Sequence, residues 1–229
     1  IVLLRKRNRE DYLYLSENNY IGVMLPYTPL HCLLLEDASE RYGLDCLIMT
    51  SANLSDLPII YKNEQALKEL HGIADYFLVH DREIVTRCDD SLLWVTGGRE
   101  YPVRRSRGYV PYPVEVDMLP RNGSILACGA EQKASFALTK DSLVFPSQHI
   151  GDLKNIETYE NYSSQIRHFE RMFDIDVKKI VCDMHTDYMS TDYAAARAEK
   201  DGIELIRVQH HHAHMASCMA GNYLTGNCI

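Results

Sequence analysis

Short apolar runs of strand length alternate with segments of helical periodicity along the chain. In the first half, strands are predicted for four runs, at residues 1–4, 20–25, 47–49 and 76–79. Between the last two runs, Asn63 can cap a helix that Gly72 ends. Because strands alternate with helices, the pattern indicates an α/β or mixed α+β protein rather than a helical bundle.

A proline-rich stretch divides this pattern into two parts. Residues 111–123 hold Pro111, Pro113, Pro120 and an Asn-Gly pair, which predicts a domain linker. After it, apolar runs predict a strand meander at residues 125–128, 134–138 and 143–145. Asn155 is placed to cap a long amphipathic helix. Strands at 180–182 and 203–208 then flank an alanine-rich helix that ends before Gly202.

Four of the ten histidines of the chain fall within residues 210–214, directly after the last predicted strand. If a helix begins there, His210 and His214 lie one turn apart on one face, and such a pair can supply two ligands to a metal ion. Surface histidines, or one packed histidine with polar neighbours, are the alternatives. Spacing alone leaves all four histidines open as ligands.

Composition narrows the class of protein. A net charge of -8 disfavours a general nucleic-acid or membrane-surface binder, and no apolar run reaches the length of a membrane span. The seven cysteines form no Cys-x-x-Cys pair, so we expect reduced thiols, mostly in the core or at strand ends, in a cytoplasmic protein. The strand-like run at residues 1–4 lacks an initiator methionine, so we expect the chain to be part of a longer protein.

Several polar segments could hold phosphate. Residues 50–53 (Thr-Ser-Ala-Asn) follow a predicted strand, and the guanidinium groups near residues 87–91 and 104–108 suit bidentate phosphate binding. The turn from Gly129 to Lys133 could approach a nucleotide, although it lacks the pattern of a P-loop. Taken alone, each segment is better explained as an ordinary polar turn, basic turn or hairpin.

Taken in order, these motifs resemble one family. The segments are LPYTPLH at 25–31, TSANLS at 50–55, HDREIV at 80–85, RCDDS at 87–91, RGYVP at 107–111, SQHIGDL at 147–153 and VQHHHAH at 208–214. They come in the order seen in HypF, the carbamoyltransferase of [NiFe]-hydrogenase maturation. The resemblance covers nearly the whole chain.

The resemblance implies two modules with different tasks. Residues 1–113 resemble the C-terminal part of a YrdC/Sua-like module, a twisted α/β sheet in which carbamoyl-adenylate is formed from carbamoyl phosphate and ATP. Residues 121–229 resemble the N-terminal half of a Kae/TsaD-like module of the actin/Hsp70-like (ASKHA) nucleotide-binding class. There the carbamoyl group passes to the C-terminal cysteine of the partner protein HypE, as a precursor of the cyanide ligands.

The resemblance also implies site residues. Ser51 and Asn53 match the element that contacts the adenylate, and the phosphate-side candidates are Arg87, Ser91 and Arg104. In the second module, the loop ending at Lys133 resembles the first phosphate loop. The register of the last motif selects His210 and His214 as ligands of a divalent metal (Zn, Fe or Mg), with the family's further aspartate ligand expected beyond residue 229. No internal nucleophile is identifiable.

Three rival functions remain open from the sequence. The first is threonylcarbamoyl-adenylate synthesis for tRNA modification, within the same superfamily. The second is a nucleic-acid-binding module that uses Arg104, Arg105 and Arg107, which the acidic balance disfavours. The third is a stand-alone metallohydrolase, which needs a third ligand and a water-activating carboxylate that the sequence does not identify.

Overall fold

The computed structural model describes residues 1–55, 57–116 and 123–228. It is a mixed α/β protein with two mixed sheets, which confirms the predicted fold class. The strands are β1 Val2–Arg5, β2 Tyr20–Val23, β3 Leu92–Thr96, β4 Arg99–Arg104, β5 Val114–Glu115, β6 Ser124–Ala127, β7 Ala137–Lys140, β8 Leu143–Pro146, β9 Val177–Asp183 and β10 Glu204–Val208. The helices are α1 Pro29–Tyr42, α2 Asn63–Glu69, α3 Ile156–Phe173, α4 Met189–Asp201 and α5 His210–Gly221.

The first sheet has the order β2-β1-β3-β4, in which only the β1–β3 pairing is parallel. The helix α1 follows β2 and starts with Pro29 in its first turn, where the missing N–H of proline costs nothing. Thr28 caps it by accepting a hydrogen bond from the His31 amide at 3.1 Å. Gly43 ends it in the left-handed conformation, with φ 65°.

Two predicted strands of the first half are wrong. Residues 47–49 and 76–79 form no strand, and the side chains of Ile48 and Tyr76 are 77% and 93% exposed. The sheet instead takes β3 and β4, a hairpin that the sequence analysis did not identify. An apolar run becomes a strand only where its backbone pairs with a neighbour, and that pairing is not encoded in the run itself. The helix near Asn63 is confirmed, but Lys62 is its N-cap and Leu70 its C-cap.

The second sheet has the order β10-β9-β6-β7-β8-β5. The predicted meander is confirmed as β6, β7 and β8, which pair antiparallel, with β7 starting at Ala137 rather than at Ala134. Within the predicted linker, Val114 and Glu115 form β5 and pair with β8. The predicted linker also includes residues 117–122, which lie outside the described residues.

The helices α3 and α4 pack in the core beside this sheet. The side chain of Asn155 accepts from the Glu157 amide at 3.2 Å, so the predicted cap is confirmed. Phe169 of α3 is 1% exposed and meets the ring of Phe136 edge-on at 5.2 Å. Tyr162 of the same helix is fully buried, and its hydroxyl donates to the Cys128 carbonyl at 2.6 Å. Aromatic packing and this hydrogen bond therefore hold α3 against the end of β6.

The residues around the two sheets meet directly. The buried amide of Gln148 donates to the Arg87 carbonyl at 3.2 Å and to Gln165 Oε1 at 3.0 Å. Arg105 donates to the Pro146 carbonyl at 3.5 Å. The turn after β8 is therefore joined to the segment that precedes β3.

The cysteines differ from the expectation. Cys128 and Cys182 are buried at strand ends, but Cys32, Cys46, Cys218 and Cys228 are exposed. Most of these thiols therefore lie outside the core, because an isolated cysteine carries no patterning signal for burial. Across the described ranges, none of the helices combines the length and the apolar character that crossing a bilayer demands.

Candidate metal and nucleotide site

Three neighbouring strands of the second sheet end at one edge. The strands β10, β9 and β6 are adjacent and mutually parallel, so their carboxyl ends lie together. The loop at Gly129 follows β6, Asp183 ends β9, and α5 begins two residues after β10 ends. Val208 is the register partner of Asp183. Sheet topology therefore collects the candidate phosphate loop, a carboxylate and the histidine helix at this edge.

The histidine cluster forms the first turns of α5, as the spacing predicted. His210 and His214 lie on one face, with their Nε2 atoms 3.1 Å apart and their ring centroids 4.7 Å apart. Two nitrogen ligands of a tetrahedral metal ion are separated by about 3.3 Å when each lies at its usual distance. The pair therefore fits two positions of a divalent metal site.

The carboxylate of Asp183 lies behind this pair. Its Oδ2 is 2.6 Å from His210 Nδ1, and its side chain is only 8% exposed. Burial raises the pKa of the Asp183 carboxyl, but hydrogen bonds from the His185 amide and from His210 outweigh burial, so the pKa lies below its ordinary value. The carboxylate is thus ionised at neutral pH and faces the side of His210 that points away from His214.

A complete metal site is not assembled by these residues. Within residues 1–55, 57–116 and 123–228, no group of three or more His, Cys, Asp or Glu side chains is arranged to hold a metal ion. His210 and His214 supply two imidazole nitrogens, and a tetrahedral site needs two further ligands from protein, substrate or water. The role of this pair as metal ligands stays a prediction.

The loop after β6 is tightly constrained. Gly129 has φ 69°, and a Cβ at this position would lie 2.2 Å from the Ser135 carbonyl oxygen, so only glycine fits. Glu131 is 3% exposed and accepts from the Met189 amide, at the start of α4, at 2.7 Å. Ser190 donates to the Gly129 carbonyl at 3.3 Å. The first turn of α4 therefore fixes the loop, and Lys133 follows it on the surface with φ 49°.

Beside the first sheet, three of the family-like motifs meet at Arg107. Its guanidinium donates to the Tyr27 hydroxyl at 2.8 Å and to the Cys88 carbonyl at 2.9 Å, and it lies 3.5 Å from the Asp90 carboxylate. These groups come from segments up to 80 residues apart along the chain. The sequence analysis gave no such role to Tyr27 or Asp90, since neither lies near Arg107 along the chain.

The predicted adenylate contacts differ in their surroundings. Ser51 is exposed and its hydroxyl donates to Asn53 Oδ1, so the two side chains form one group that a ligand can reach. Ser91 is 5% exposed; its hydroxyl donates to the Arg107 carbonyl and accepts from the Ser106 amide, both at 2.8 Å. Ser91 thus has a structural task that the sequence did not indicate, and its contact with nucleotide stays a prediction.

The predicted phosphate-side arginines lie near the junction of the two sheets. The guanidinium of Arg87 lies 4.9 Å from the Tyr61 ring centroid, and among the described residues its Nε, which is buried, has no hydrogen-bond partner. It lines a cavity of about 20 Å³ with Asp89 and His149. Arg104 is exposed at the end of β4.

His149 lies between candidate residues of both halves. Burial lowers the pKa of its imidazole, Arg104 and Lys133 lower it further, and Asp89 partly opposes them. The charges of Arg104, beside the first sheet, and of Lys133, beside the second, thus both act on this imidazole. The sequence analysis did not single out His149, although its motif SQHIGDL was among those that resembled the family.

Two protein-family models match the chain. Residues 1–106 match the Sua5/YciO/YrdC model, described as "Telomere recombination", and residues 120–221 match the model described as "HypF Kae1-like domain". The two matches are separated by residues 107–119, which overlap the predicted linker. The assignment of tasks to residues 1–113 and 121–229 stays a prediction.

Curated relatives carry one name. The chain is 42% identical to "Carbamoyltransferase HypF2" of Cupriavidus necator over 238 residues, covering 96% of the chain and 29% of that protein. It is 40% identical to "Probable carbamoyltransferase HypF" of Methanocaldococcus jannaschii over 225 residues, covering 97% of the chain and 28% of that protein. The chain therefore spans less than a third of the length of these relatives.

Solved structures agree in fold. The chain superposes on full-length HypF in its phosphate- and nucleotide-bound form with a TM-score of 0.87 and 40% identity, covering 100% of the chain and 35% of that protein. For HypF of T. kodakarensis the TM-score is 0.85 at 38% identity, covering 98% of the chain and 29% of that protein. Sequence and fold agree over nearly every residue, and the chain belongs to the HypF family, in which the relatives named above are called carbamoyltransferases.

Proposed function

We propose that the chain takes part in ATP-dependent carbamoyl transfer during [NiFe]-hydrogenase maturation, in the cytoplasm. Residues 1–113 form carbamoyl-adenylate from carbamoyl phosphate and ATP, and residues 121–229 pass the carbamoyl group to the C-terminal cysteine of HypE. The observation that carries the proposal is the shared edge of β6, β9 and β10, where a constrained glycine loop and a histidine pair meet. This edge belongs to a chain about 40% identical to proteins named as carbamoyltransferases.

The first step needs positioning more than acid–base catalysis. Water hydrolyses carbamoyl phosphate to carbamate and inorganic phosphate. A carbamate oxygen then attacks the α-phosphorus of ATP, the bond to the β-phosphate breaks, and pyrophosphate leaves. The reachable pair of Ser51 and Asn53 offers hydroxyl and amide groups to the adenylate. The guanidinium groups of Arg87 and Arg104 offset phosphate charge.

The second step is attack of a thiolate on the carbamoyl carbon, with AMP as the leaving group. The N–H groups of the Gly129 loop and the ammonium of Lys133 would bind the phosphate of AMP and exclude water from the mixed anhydride. His210 and His214 would hold a divalent cation (Zn, Fe or Mg), which supplies positive charge beside that phosphate. The thiolate comes from HypE.

Product analysis tests this function against threonylcarbamoyl-adenylate synthesis. The test uses a chimeric protein, in which this chain replaces the matching segment of the carbamoyltransferase HypF of Synechocystis. The two are 40% identical over that segment. With ATP and carbamoyl phosphate, we expect carbamoyl-adenylate and pyrophosphate to form, and AMP to be released when the HypE thiol is added. An adenylate that forms only with threonine and bicarbonate would support the tRNA-modification enzyme instead.

Two of the three arginines of the nucleic-acid rival are already engaged within the protein. Arg105 donates to the carbonyls of Tyr109 and Tyr112 at 2.9 and 2.6 Å, and Arg107 donates to Tyr27 and Cys88. The third, Arg104, is exposed at the end of β4.

A further inference from the structure

Asp183 lies beside the histidine pair, although none of the motifs quoted from the sequence contains it. It is the last residue of β9, 27 residues before His210, and its Oδ2 lies 2.6 Å from His210 Nδ1. We infer that Asp183 is a positioning residue, which fixes the ring and the tautomer of His210 so that the Nε2 lone pair faces a divalent cation. The inference rests on the metal role proposed for His210 and His214.

The chemistry of imidazole links the two nitrogens. A neutral ring carries one proton, so a carboxylate that accepts it at Nδ1 leaves a lone pair at Nε2. In the structure that second nitrogen is the one directed at His214, 3.1 Å from its Nε2. A carboxylate behind a histidine ligand also makes the ligand more basic, and this partnership recurs at protein metal sites.

Asp183 is not itself a third ligand of the pair. Its carboxylate contacts Nδ1 of His210, whereas a cation held by the pair would lie at the two Nε2 atoms. The imidazole ring of His210 therefore separates the carboxylate from the cation. The structure agrees, since no three-residue ligand group is present in the described ranges. Asp183 therefore acts through His210.

The carboxylate is held so that it cannot turn away. The other carboxylate oxygen, Oδ1, accepts from the His185 amide at 2.9 Å. The backbone carbonyl of Asp183 accepts from the Thr191 hydroxyl at 3.4 Å. Its backbone pairs with Val208 of β10, two residues before His210. The strand pairing and the Thr191 bond hold the backbone of Asp183 beside the helix, and the His185 bond restricts the rotation of its carboxylate.

Two substitutions remove the contact in different ways. Asp183→Ala deletes the acceptor, and Asp183→Asn keeps the shape but can turn an N–H toward Nδ1, which favours the tautomer protonated at Nε2. Asp187→Asn is the matched control, because it removes the same charge four residues away, where the carboxylate accepts from Thr186 at 3.0 Å. His210→Ala combined with His214→Ala sets the background affinity.

The measurements are Zn²⁺ affinity, by competition with a chromophoric chelator, and the tautomer of His210, by ¹H–¹⁵N correlation spectra without metal at about pH 8, where free imidazole is neutral. We expect both Asp183 variants to bind Zn²⁺ about 10- to 100-fold more weakly than the wild type and the Asp187 control. We also expect His210 to be protonated at Nδ1 in the wild type and to lose this preference in the variants.

Two results would overturn the inference: wild-type Zn²⁺ affinity in both Asp183 variants, or an unchanged His210 tautomer in both. Wild-type affinity in the double histidine variant would instead overturn the metal role of the pair. In that case the tautomer spectra still decide whether Asp183 orients His210, since they need no metal. The failure of one proposal is thus distinguishable from the failure of the other.

Discussion

At Gly129 the chain leaves β6 with φ 69° and passes so close to Ser135 that a Cβ would lie 2.2 Å from the Ser135 carbonyl oxygen. Gly129→Ala must therefore strain the backbone and displace the loop. Gly202, with φ 66° and nothing within 4 Å of its Cβ position, is the matched control. We expect Gly202→Ala to lower the free energy of unfolding by about 1 kcal/mol, through its backbone conformation alone.

We expect Gly129→Ala to cost about 1–3 kcal/mol more than the control, because overpacking adds to the same backbone strain. Urea unfolding of both variants measures the difference. Equal losses would show that the loop has room for a side chain, and the constraint placed on it would be wrong.

Through His149, the free energy of unfolding should depend on pH, and the surroundings of the imidazole set the direction of that dependence. Its pKa in the folded chain lies below the ordinary 6.5, through burial and then Arg104. As the pH falls through about 6.5, the unfolded chain binds a proton before the folded chain does. Stability that is present above this pH is therefore lost as the pH falls toward the folded pKa.

We expect His149→Gln to flatten the fall in unfolding free energy between about pH 7.5 and about pH 5.5, the range in which histidine titrates. His71→Gln is the control, since it removes an exposed imidazole. Urea titrations at the two pH values give the comparison. A slope as steep in His149→Gln as in the wild type would contradict the environment assigned to His149.

Local spacing was enough to predict some of these residues. His210 and His214 are one helical turn apart, so the sequence contains their geometry once α5 forms. Asp183 and His149 could not be found this way, because their partners are distant in sequence. Asp183 meets His210 through the β9–β10 register, and the charge of Arg104, from the first half, lowers the pKa of His149 in the second.

At the scale of elements, the first turn of α4 joins the sites on β6 and β9. Its Met189 amide is bound by Glu131, its Ser190 hydroxyl binds the Gly129 carbonyl, and its Thr191 hydroxyl binds the Asp183 carbonyl. The side chain of the N-cap residue, Tyr188, makes no capping hydrogen bond. Glu131, from a distant loop, takes that place, and its negative charge suits the helix N-terminus.

We expect Glu131→Ala to lower the free energy of unfolding by about 1–3 kcal/mol, since a partly buried amide loses its charged acceptor. Glu131→Gln keeps an acceptor oxygen and should cost about half as much. Hydrogen exchange at Met189 should rise in the alanine variant and much less in the glutamine variant. Unchanged exchange in both would show that Glu131 does not cap α4.

Elements with strong local signals were predicted, and those that depend on pairing were not. The helix α3 has a capping asparagine and an apolar stripe, and the meander β6–β8 has short turns between its strands. Residues 47–49 and 76–79 are apolar runs like those of the meander, yet they form no strand. The edge strand β5 lies in a proline-rich stretch that indicated only a linker.

At the scale of the molecule, a buried amide joins the two halves. Gln148 is 2% exposed and binds both the Arg87 carbonyl and Gln165. Gln148→Ala removes the donor from one buried and one partly buried acceptor, and we expect the free energy of unfolding to fall by about 1–3 kcal/mol, with faster hydrogen exchange around Arg87. Gln132→Ala, at an exposed position, should change neither quantity. Exchange that stays slow around Arg87 in the Gln148 variant would show that this contact does not join the halves.

The prolines predicted a linker between two parts, but nothing in the sequence predicted the contacts around it. The motifs carried the family resemblance because each motif keeps its residues in order. How Gln148, Arg87 and His149 meet depends on packing, which no local pattern encodes. The same reason explains why the motifs could indicate a family while the positioning residues could not be predicted.

The central claim is ATP-dependent carbamoyl transfer that needs the histidine pair of α5. Its most direct test is to incubate HypE with ATP, carbamoyl phosphate and the chimeric Synechocystis protein that contains this chain. The mass of the C-terminal peptide of HypE is then measured. We expect a gain of one carbamoyl group on the terminal cysteine, and no gain when His210→Ala and His214→Ala are combined. Full carbamoylation by that double variant would contradict the account.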